Sequence, residues 1–349
     1  MGASRPGTER VPSSRVDMYG SCSALRASGC PRRPYGREMT RFSAVDIRWL
    51  GAAVPDEMSS MGGEQQVSSG SCMRRAAVEP LLRSYVAAPE VDAVILSGST
   101  ARGQADRWSD VEIGVFWSQP PSEARRRELA HLARGCRLFD YYDSEQCWAD
   151  DLDLEPEGLL AEVVHMLTAD AETFVQDVTA RFDPDSMKRN VVAGIVDGIA
   201  VDGAPVIERW QRLATPYPRE LAVAVVGATG MIDHFTRWEV AHERGNSMQL
   251  AHMLSTAAKQ LLEMLMALNG VYGPKPEKWQ AHITANLKLA PADLTTRLGS
   301  VFTDKPPQAA STLTTLIEET YDLVESELLE VDVQRFRQVF RYARPPLPA

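Results

Sequence analysis

Hydrophobic positions along this chain change their spacing twice, and each change marks a different kind of structure. Residues 1–72 carry few large apolar side chains among Ser, Gly, Arg and Pro. Such a stretch buries too little to offset its ordering entropy. A disordered leader is expected there, with one short segment, 44–54, able to form a local helix or strand. From residue 73 the pattern tightens. Residues 73–87 read as a helix with Pro80 as a disruption. Residues 91–96 and 111–117 are short β-branched runs of strand type. Residues 122–134 read as a helix with Ser122 at its N-cap. A third strand is expected at 137–141 and a fourth at 159–167, joined by a polar, acidic connection over 143–157. This succession is an α/β grammar. After about 185 helical spacing takes over. Helices are expected at 220–243 and at 248–269, the second ending on Asn269-Gly270. Three more, at 276–287, 291–301 and 307–329, have prolines near their starts. Short connections between such helices predict antiparallel packing in a bundle.

Composition narrows the function classes. The 349 residues hold 37 Lys and Arg against 47 Asp and Glu, a net charge of −10. An acidic chain is a poor partner for a phosphate backbone, so nucleic-acid binding is not expected. The imbalance is uneven, with eight arginines against three acids in residues 1–43. The run Arg125-Arg126-Arg127 lacks the interleaved aromatics of a nucleic-acid platform and reads as an exposed helix face. Five cysteines without C-x-x-C spacing argue against a disulfide framework or zinc site. The longest apolar stretch, 221–232, is interrupted by Gly227 and Gly230 and falls short of a membrane span. No apolar signal segment follows the N-terminal arginines. A cytoplasmic location with no membrane contact is the expectation.

One stretch carries chemistry. Gly98-Ser99-Thr100-Ala101-Arg102-Gly103 follows the first strand, and Ser109-Asp110-Val111-Glu112 opens the second. A glycine there lets backbone approach a ligand closely, and free N–H groups at a helix start suit phosphate. Asp110 and Glu112, two apart on a strand, share a face. Two carboxylates at that spacing can hold Mg²⁺, which prefers carboxylate and phosphate oxygens. A phosphate cradle beside a carboxylate pair is the apparatus of phosphoryl or nucleotidyl transfer.

Gly98-Ser99, ten residues, then Asp110-Val111-Glu112 resembles the signature of the nucleotidyltransferase superfamily with the polymerase-β-like fold. The form Gly-Ser-Thr-Ala-Arg-Gly followed by Ser-Asp looks like its bacterial small-molecule branch, the aminoglycoside and lincosamide type, and like the antitoxin-type minimal members. Pro216-Tyr217-Pro218, Leu268-Asn269-Gly270 and Lys278-Trp279 resemble the helical C-terminal region of the longer members. Glu112 stands where Asp is common. The resemblance implies an α+β architecture: a mixed β-sheet domain with flanking helices over 73–185, then an α-helical domain over 186–349. It implies a Mg²⁺-dependent enzyme that transfers a nucleoside monophosphate, AMP from ATP by default, to a hydroxyl of a small-molecule acceptor and releases pyrophosphate. Gly98, Ser99, Thr100, Arg102 and Lys278 would bind the nucleotide, and Asp110 and Glu112 the metal. The alternative is a non-catalytic nucleotide-binding or antitoxin-like module acting on a protein partner.

The family also implies a third carboxylate, as metal ligand or general base. Glu162 is the choice, because it stands alone in the apolar run 159–165, where an unpartnered acid is costly. Asp170, Glu172 and Asp177 compete but fall in what reads as a solvated helix. His165 faces away from Glu162 and reads as a core or shell histidine. Arg102 can reach a phosphate or pair with Asp106. Lys275 and Lys278 flank a proline turn and can meet a triphosphate. Asp233, His234 and Arg237 read as a cleft lining or as a solvated helix face.

Overall fold

The computed structural model describes residues 67–144, 147–156, 158–273, 275–278 and 280–342. The expected leader up to residue 66, and with it the segment 44–54, lies outside the described residues, as does Trp279. Helix α1 (Ser69–Val86) leads into β1 (Val91–Ser97), the four-residue α2 (Gly98–Ala101) and β2 (Val111–Trp117). Helix α3 (Glu123–Leu132) precedes a meander of β3 (Gly135–Ser144), β4 (Cys147–Leu154) and β5 (Leu159–Leu167). The sheet is completed by β6 (Ile199–Asp202), reached through α4 (Thr168–Thr179) and α5 (Ser186–Val196). Its order is β3-β4-β5-β2-β1-β6. Every neighbouring pair is antiparallel except β2 and β5, which run parallel at the centre. The sheet is therefore mixed, as expected.

The two faces of the sheet have separate cores. On one, α1 and α3 cover Val94, Leu96, Val111, Ile113, Leu152 and Val163. On the other, Ile95, Phe116 and Met166 join a core that continues through the helices to Leu261, Leu316 and Tyr321. Those helices are α6 (Ala204–Ala214), α7 (Arg219–Thr229), α8 (Trp238–Glu243), α9 (Ser247–Leu268), α10 (Gln280–Asn286), α11 (Leu294–Ser300), α12 (Pro306–Glu327) and α13 (Val333–Phe340). Among the described residues no helix is long and apolar enough to cross a membrane.

Five expectations need correction. The helix expected over 220–243 breaks at Gly230, whose carbonyl accepts from the Tyr321 hydroxyl and whose missing side chain leaves room for the Phe336 ring. The region after 185 is not wholly helical, since the short edge strand β6 pairs with β1. The acidic connection 143–157 is mostly strand β4. Its inward Asp150 is tolerated because Arg126 Nε donates to it at 3.0 Å and Arg137 lies 2.9 Å away. That pairing also corrects Arg126, which is buried rather than part of an exposed arginine face.

The fifth correction concerns where order begins. Helix α1 starts at Ser69, inside the expected leader, with Ser68 as its N-cap. This stretch is Ser- and Gly-rich, so its helix is held by contacts outside itself. The Ser68 N–H donates to the Gly103 carbonyl, and its hydroxyl to the Ala105 carbonyl. The Ala105 N–H donates to the buried Ser71 hydroxyl at 2.9 Å. Further along α1, Arg74 donates to the Ser109 carbonyl, and Arg75 clasps the carbonyls of Thr100 and Ala101. The first two turns of α1 thus fasten the β1–β2 connection. Ser71→Ala leaves the Ala105 N–H buried and unpaired, so it should lower stability by about 1–3 kcal/mol in urea unfolding. A loss within ~0.5 kcal/mol, the range of ordinary surface changes, would mean that this bond does not hold the connection.

Candidate functional site

The sheet register places the acids. Strand β1 ends at Ser97, and Gly98 turns the chain with φ +66 into α2. No side chain fits at Gly98: a Cβ there would overlap the Glu112 carboxylate. Asp110 immediately precedes β2, and Glu112 is its second residue. Glu112 stands opposite Ser97 on β1 and opposite Glu162 on β5. Glu162 in turn stands opposite Asp151 on β4. Residues paired across a ladder share a face. Ser97, Glu112, Glu162 and Asp151 therefore form one row across four strands, with Asp110 two residues before Glu112, just ahead of β2, on the same side.

This row strains its own charges. Burial raises the Glu112 carboxyl above its usual range, and the nearby Asp110 charge adds to it. Burial and then the charges of Glu112, Asp110 and Asp151 push Glu162 up to about 7. Asp151 is raised by burial and by Asp110 and Asp150. The opposing cations come from the segment before α10. Lys278 Nζ lies 3.8 Å from Glu112 Oε1, a loose and half-exposed pair. Burial lowers the Lys275 ammonium, against the pull of Glu277 and Glu162. The acids are thus only partly compensated, and the row favours an added cation or proton.

The donor set, carboxylate oxygen throughout, suits a hard divalent cation such as Mg²⁺. Among the described residues no three His, Cys, Asp or Glu side chains close into a cage for a metal ion. Mg²⁺ is ordinarily held by one or two carboxylates together with phosphate oxygens and water, so an open carboxylate pair fits it.

Beside the acids opens a cavity of about 180 Å³, bordered by Gly98, Arg102, Glu112, Glu162, Lys275 and Lys278. The structure thus gathers Gly98, Arg102, Glu112, Glu162 and Lys278 around one space, with Asp110 felt by both glutamates. Ser99 and Thr100 are buried and do not border it. The Thr100 hydroxyl turns inward and donates to the Asp110 carbonyl at 3.4 Å, a brace for the acid rather than a ligand group. Arg102 pairs with Asp197 at the end of α5, 3.3 Å away. Asp106 instead caps its own turn, accepting from the Trp108 N–H and the Ser109 hydroxyl.

The competing acids Asp170, Glu172 and Asp177 all lie on α4, and the last two are engaged elsewhere. Glu172 pairs with Arg209 and the Trp210 indole, and Asp177 with Arg181 and Lys188. Asp233 and Arg237 are exposed. His165 lies on the opposite face, as expected, and is fully buried. Its Nδ1 accepts from the Trp117 indole, which leaves the Nε2 proton for Asp150 Oδ2, 3.2 Å away.

Sequence reasoning missed Asp151, because 143–157 read as a connection. The signal was present: Trp148, Asp150, Leu152 and Leu154 alternate with more exposed positions at strand period. The raised Glu162 carboxyl has a sign. An acid with a higher pKa in the folded chain binds its proton more tightly there, so stability falls as pH climbs from about 4.5 to about 7. In metal-free buffer, Glu162→Gln should therefore raise the melting temperature at pH 8 and leave it nearly unchanged at pH 4. A uniform shift across that range would show that Glu162 is not held above its ordinary pKa.

No protein-family model matches this chain. No curated protein matches it in sequence. Among solved structures the chain is similar to a nucleotidyltransferase-like protein from Exiguobacterium sibiricum 255-15, at 13% identity and a TM-score of 0.36, over 74% of this chain and 81% of that one.

Proposed function

We propose that the protein is a Mg²⁺-dependent nucleotidyltransferase that moves AMP from ATP to the hydroxyl of a small-molecule acceptor. The observation that carries this reading is the convergence of Asp110, Glu112 and Glu162 on one sheet face, beside a glycine turn and under Lys275 and Lys278. Acids of this kind, partly compensated and next to cations at a cavity mouth, suit a ligand that brings both a metal and phosphates.

Each group then has a task. The backbone at Gly98 approaches the phosphates without an intervening side chain. Lys275, Lys278 and Arg102 border the mouth and offset phosphate charge. Asp110 and Glu112 hold Mg²⁺, which when bound neutralises charge developing on the phosphoryl oxygens. Glu162, poised near 7, takes the acceptor's hydroxyl proton. The acceptor oxygen bonds to the α-phosphorus, the bond from that phosphorus to the bridging oxygen breaks, and pyrophosphate leaves with its electron pair.

One observation favours a second reading, in which the site binds a nucleotide without turnover. Lys278 already lies beside Glu112, where a cation is wanted. Pyrophosphate release from ATP, measured with a panel of hydroxylated small molecules, separates the two. Release with at least one acceptor is expected, and Asp110→Asn should cut it by roughly 10²–10³-fold or more while the fold persists. ATP binding with no release from any acceptor would favour the second reading.

Binding alone gives an independent check. Mg²⁺ with ATP should raise the melting temperature more than ATP alone, the stabilisation reaching about 2.7 kcal/mol at a hundred times the dissociation constant. Glu162→Gln should diminish that gain less than Asp110→Asn. Equal gains with and without Mg²⁺ would remove the metal from the proposal.

A further inference from the structure

The cavity does not end at the acids. Along the three central strands its wall is built in tiers, each two residues deeper than the last. The first tier is Ser97, Glu112 and Glu162. The second is Ile95, Gly114 and Val164, and the third brings Phe116 and Met166. At about 3.3 Å per residue, the third tier lies about 13 Å along the strands from the first. Polarity stops at the first tier. Ile95 leans across Gly114, its Cγ2 2.7 Å from where a Cβ would stand, so this wall presents hydrocarbon. Helix α5 forms the facing wall with Val191, Ala193, Gly194 and Ile195, and Asn190 is its one polar contributor. The Ser97 hydroxyl donates to the Gly194 carbonyl at 2.8 Å, stapling that helix to β1 beside the acids.

A shaft of this kind excludes several acceptors. A sugar or polyol would bury hydroxyls with too few partners, at a cost for each unpaired group. A polycation would meet Arg102, Lys275 and Lys278 at the mouth. A nucleobase would leave its hydrogen-bonding edge facing methyl groups, whereas the phosphates belong with the cations outside. What remains is a molecule with one hydroxyl at one end and hydrocarbon behind it. We propose that the acceptor is a neutral alcohol with an extended apolar body, which fills the shaft between β2 and α5 and presents its hydroxyl to Glu162. This rests on the nucleotidyl-transfer reading for the reaction, but the shaft itself can be tested without turnover.

The probe is 1-octanol, with sorbitol as the polar comparator, read by saturation-transfer NMR on the full chain. Octanol should receive saturation along its methylene groups, sorbitol should not, and saturating Mg²⁺ and ATP should leave the octanol signal in place. Gly194→Leu should abolish the signal. A Cβ at Gly194 meets nothing nearer than the Ser97 hydroxyl at 3.4 Å, so the longer side chain extends into the open space beside it. Leucine also favours the helix over glycine, so loss of folding is not expected. Val164→Phe, from the opposite wall, is the second variant and should act alike. No octanol binding, binding unchanged in both variants, or displacement of octanol by ATP would overturn the proposal, the last by giving the shaft to the base. Mass spectrometry for octyl-AMP completes the test. A polar alcohol adenylylated while octanol neither binds nor reacts would sink the shaft and leave the proposed function standing. Octanol bound in the wild type and lost in Gly194→Leu, with no alcohol adenylylated, would sink the transfer reading and the acceptor with it.

Discussion

Two glutamates held side by side on neighbouring parallel strands are an unfavourable arrangement, and much of the surrounding structure serves to maintain it. Glu112 and Glu162 are ladder partners at the centre of the sheet, where neither strand can move away from the other without breaking its pairing. Asp110 and Asp151 extend the same charge on either side. The glycine turn leaves room for the Glu112 carboxylate, Thr100 holds the backbone of Asp110, and the first turns of α1 fasten the intervening loop. Each of these contacts resists the relaxation that mutual repulsion would otherwise cause. Local strain of this kind persists only where the neighbouring structure over-determines it.

Asp150 and Asp151 illustrate how far environment, rather than residue type, sets the outcome. They are adjacent, yet they face opposite sides of the sheet. Burial would raise Asp150, but the hydrogen bond from His165 and the charges of Arg126 and Arg137 outweigh it and hold the carboxyl below its ordinary range. Asp151, with acids for neighbours, is raised. Burial likewise lowers the His165 imidazole, against the pull of Asp150, so the histidine is kept neutral between an acceptor and a donor. One face of β4 is therefore electrostatically closed, and the other is open to a ligand.

The parts of this arrangement that were legible in the sequence are those fixed by local pattern. The apolar, β-branched runs of β2 and β5 announced their own bounds, and the glycine turn and Asp110-x-Glu112 spacing announced the site. Glu162 was legible because a lone acid in an apolar run needs a reason. What was not legible depends on partners distant in sequence. Strand β4 is acidic, and only Arg126 and Arg137 make its inward aspartate acceptable. The start of α1 is Ser- and Gly-rich and owes its order to the loop that it grips. The break after α7 follows from Phe336 on α13 and Tyr321 on α12, neither of which a local reading can see.

The tether from Asp150 to His165 has a consequence for how the sheet is assembled. The two residues sit on neighbouring strands, diagonal to one another on one face, with carboxylate and imidazole 3.2 Å apart. Were β5 to shift by a single position, every side chain on it would change sides. Glu162 would turn under α1 and α3 into hydrocarbon, Val163 would replace it beside Glu112, and Asp150 would lose its imidazole. A misaligned sheet is thereby penalised twice, once on each surface, during folding itself. The buried histidine lies away from the cavity, but it acts as a gauge of alignment, and a Glu162 correctly seated beside Glu112 is the outcome it selects.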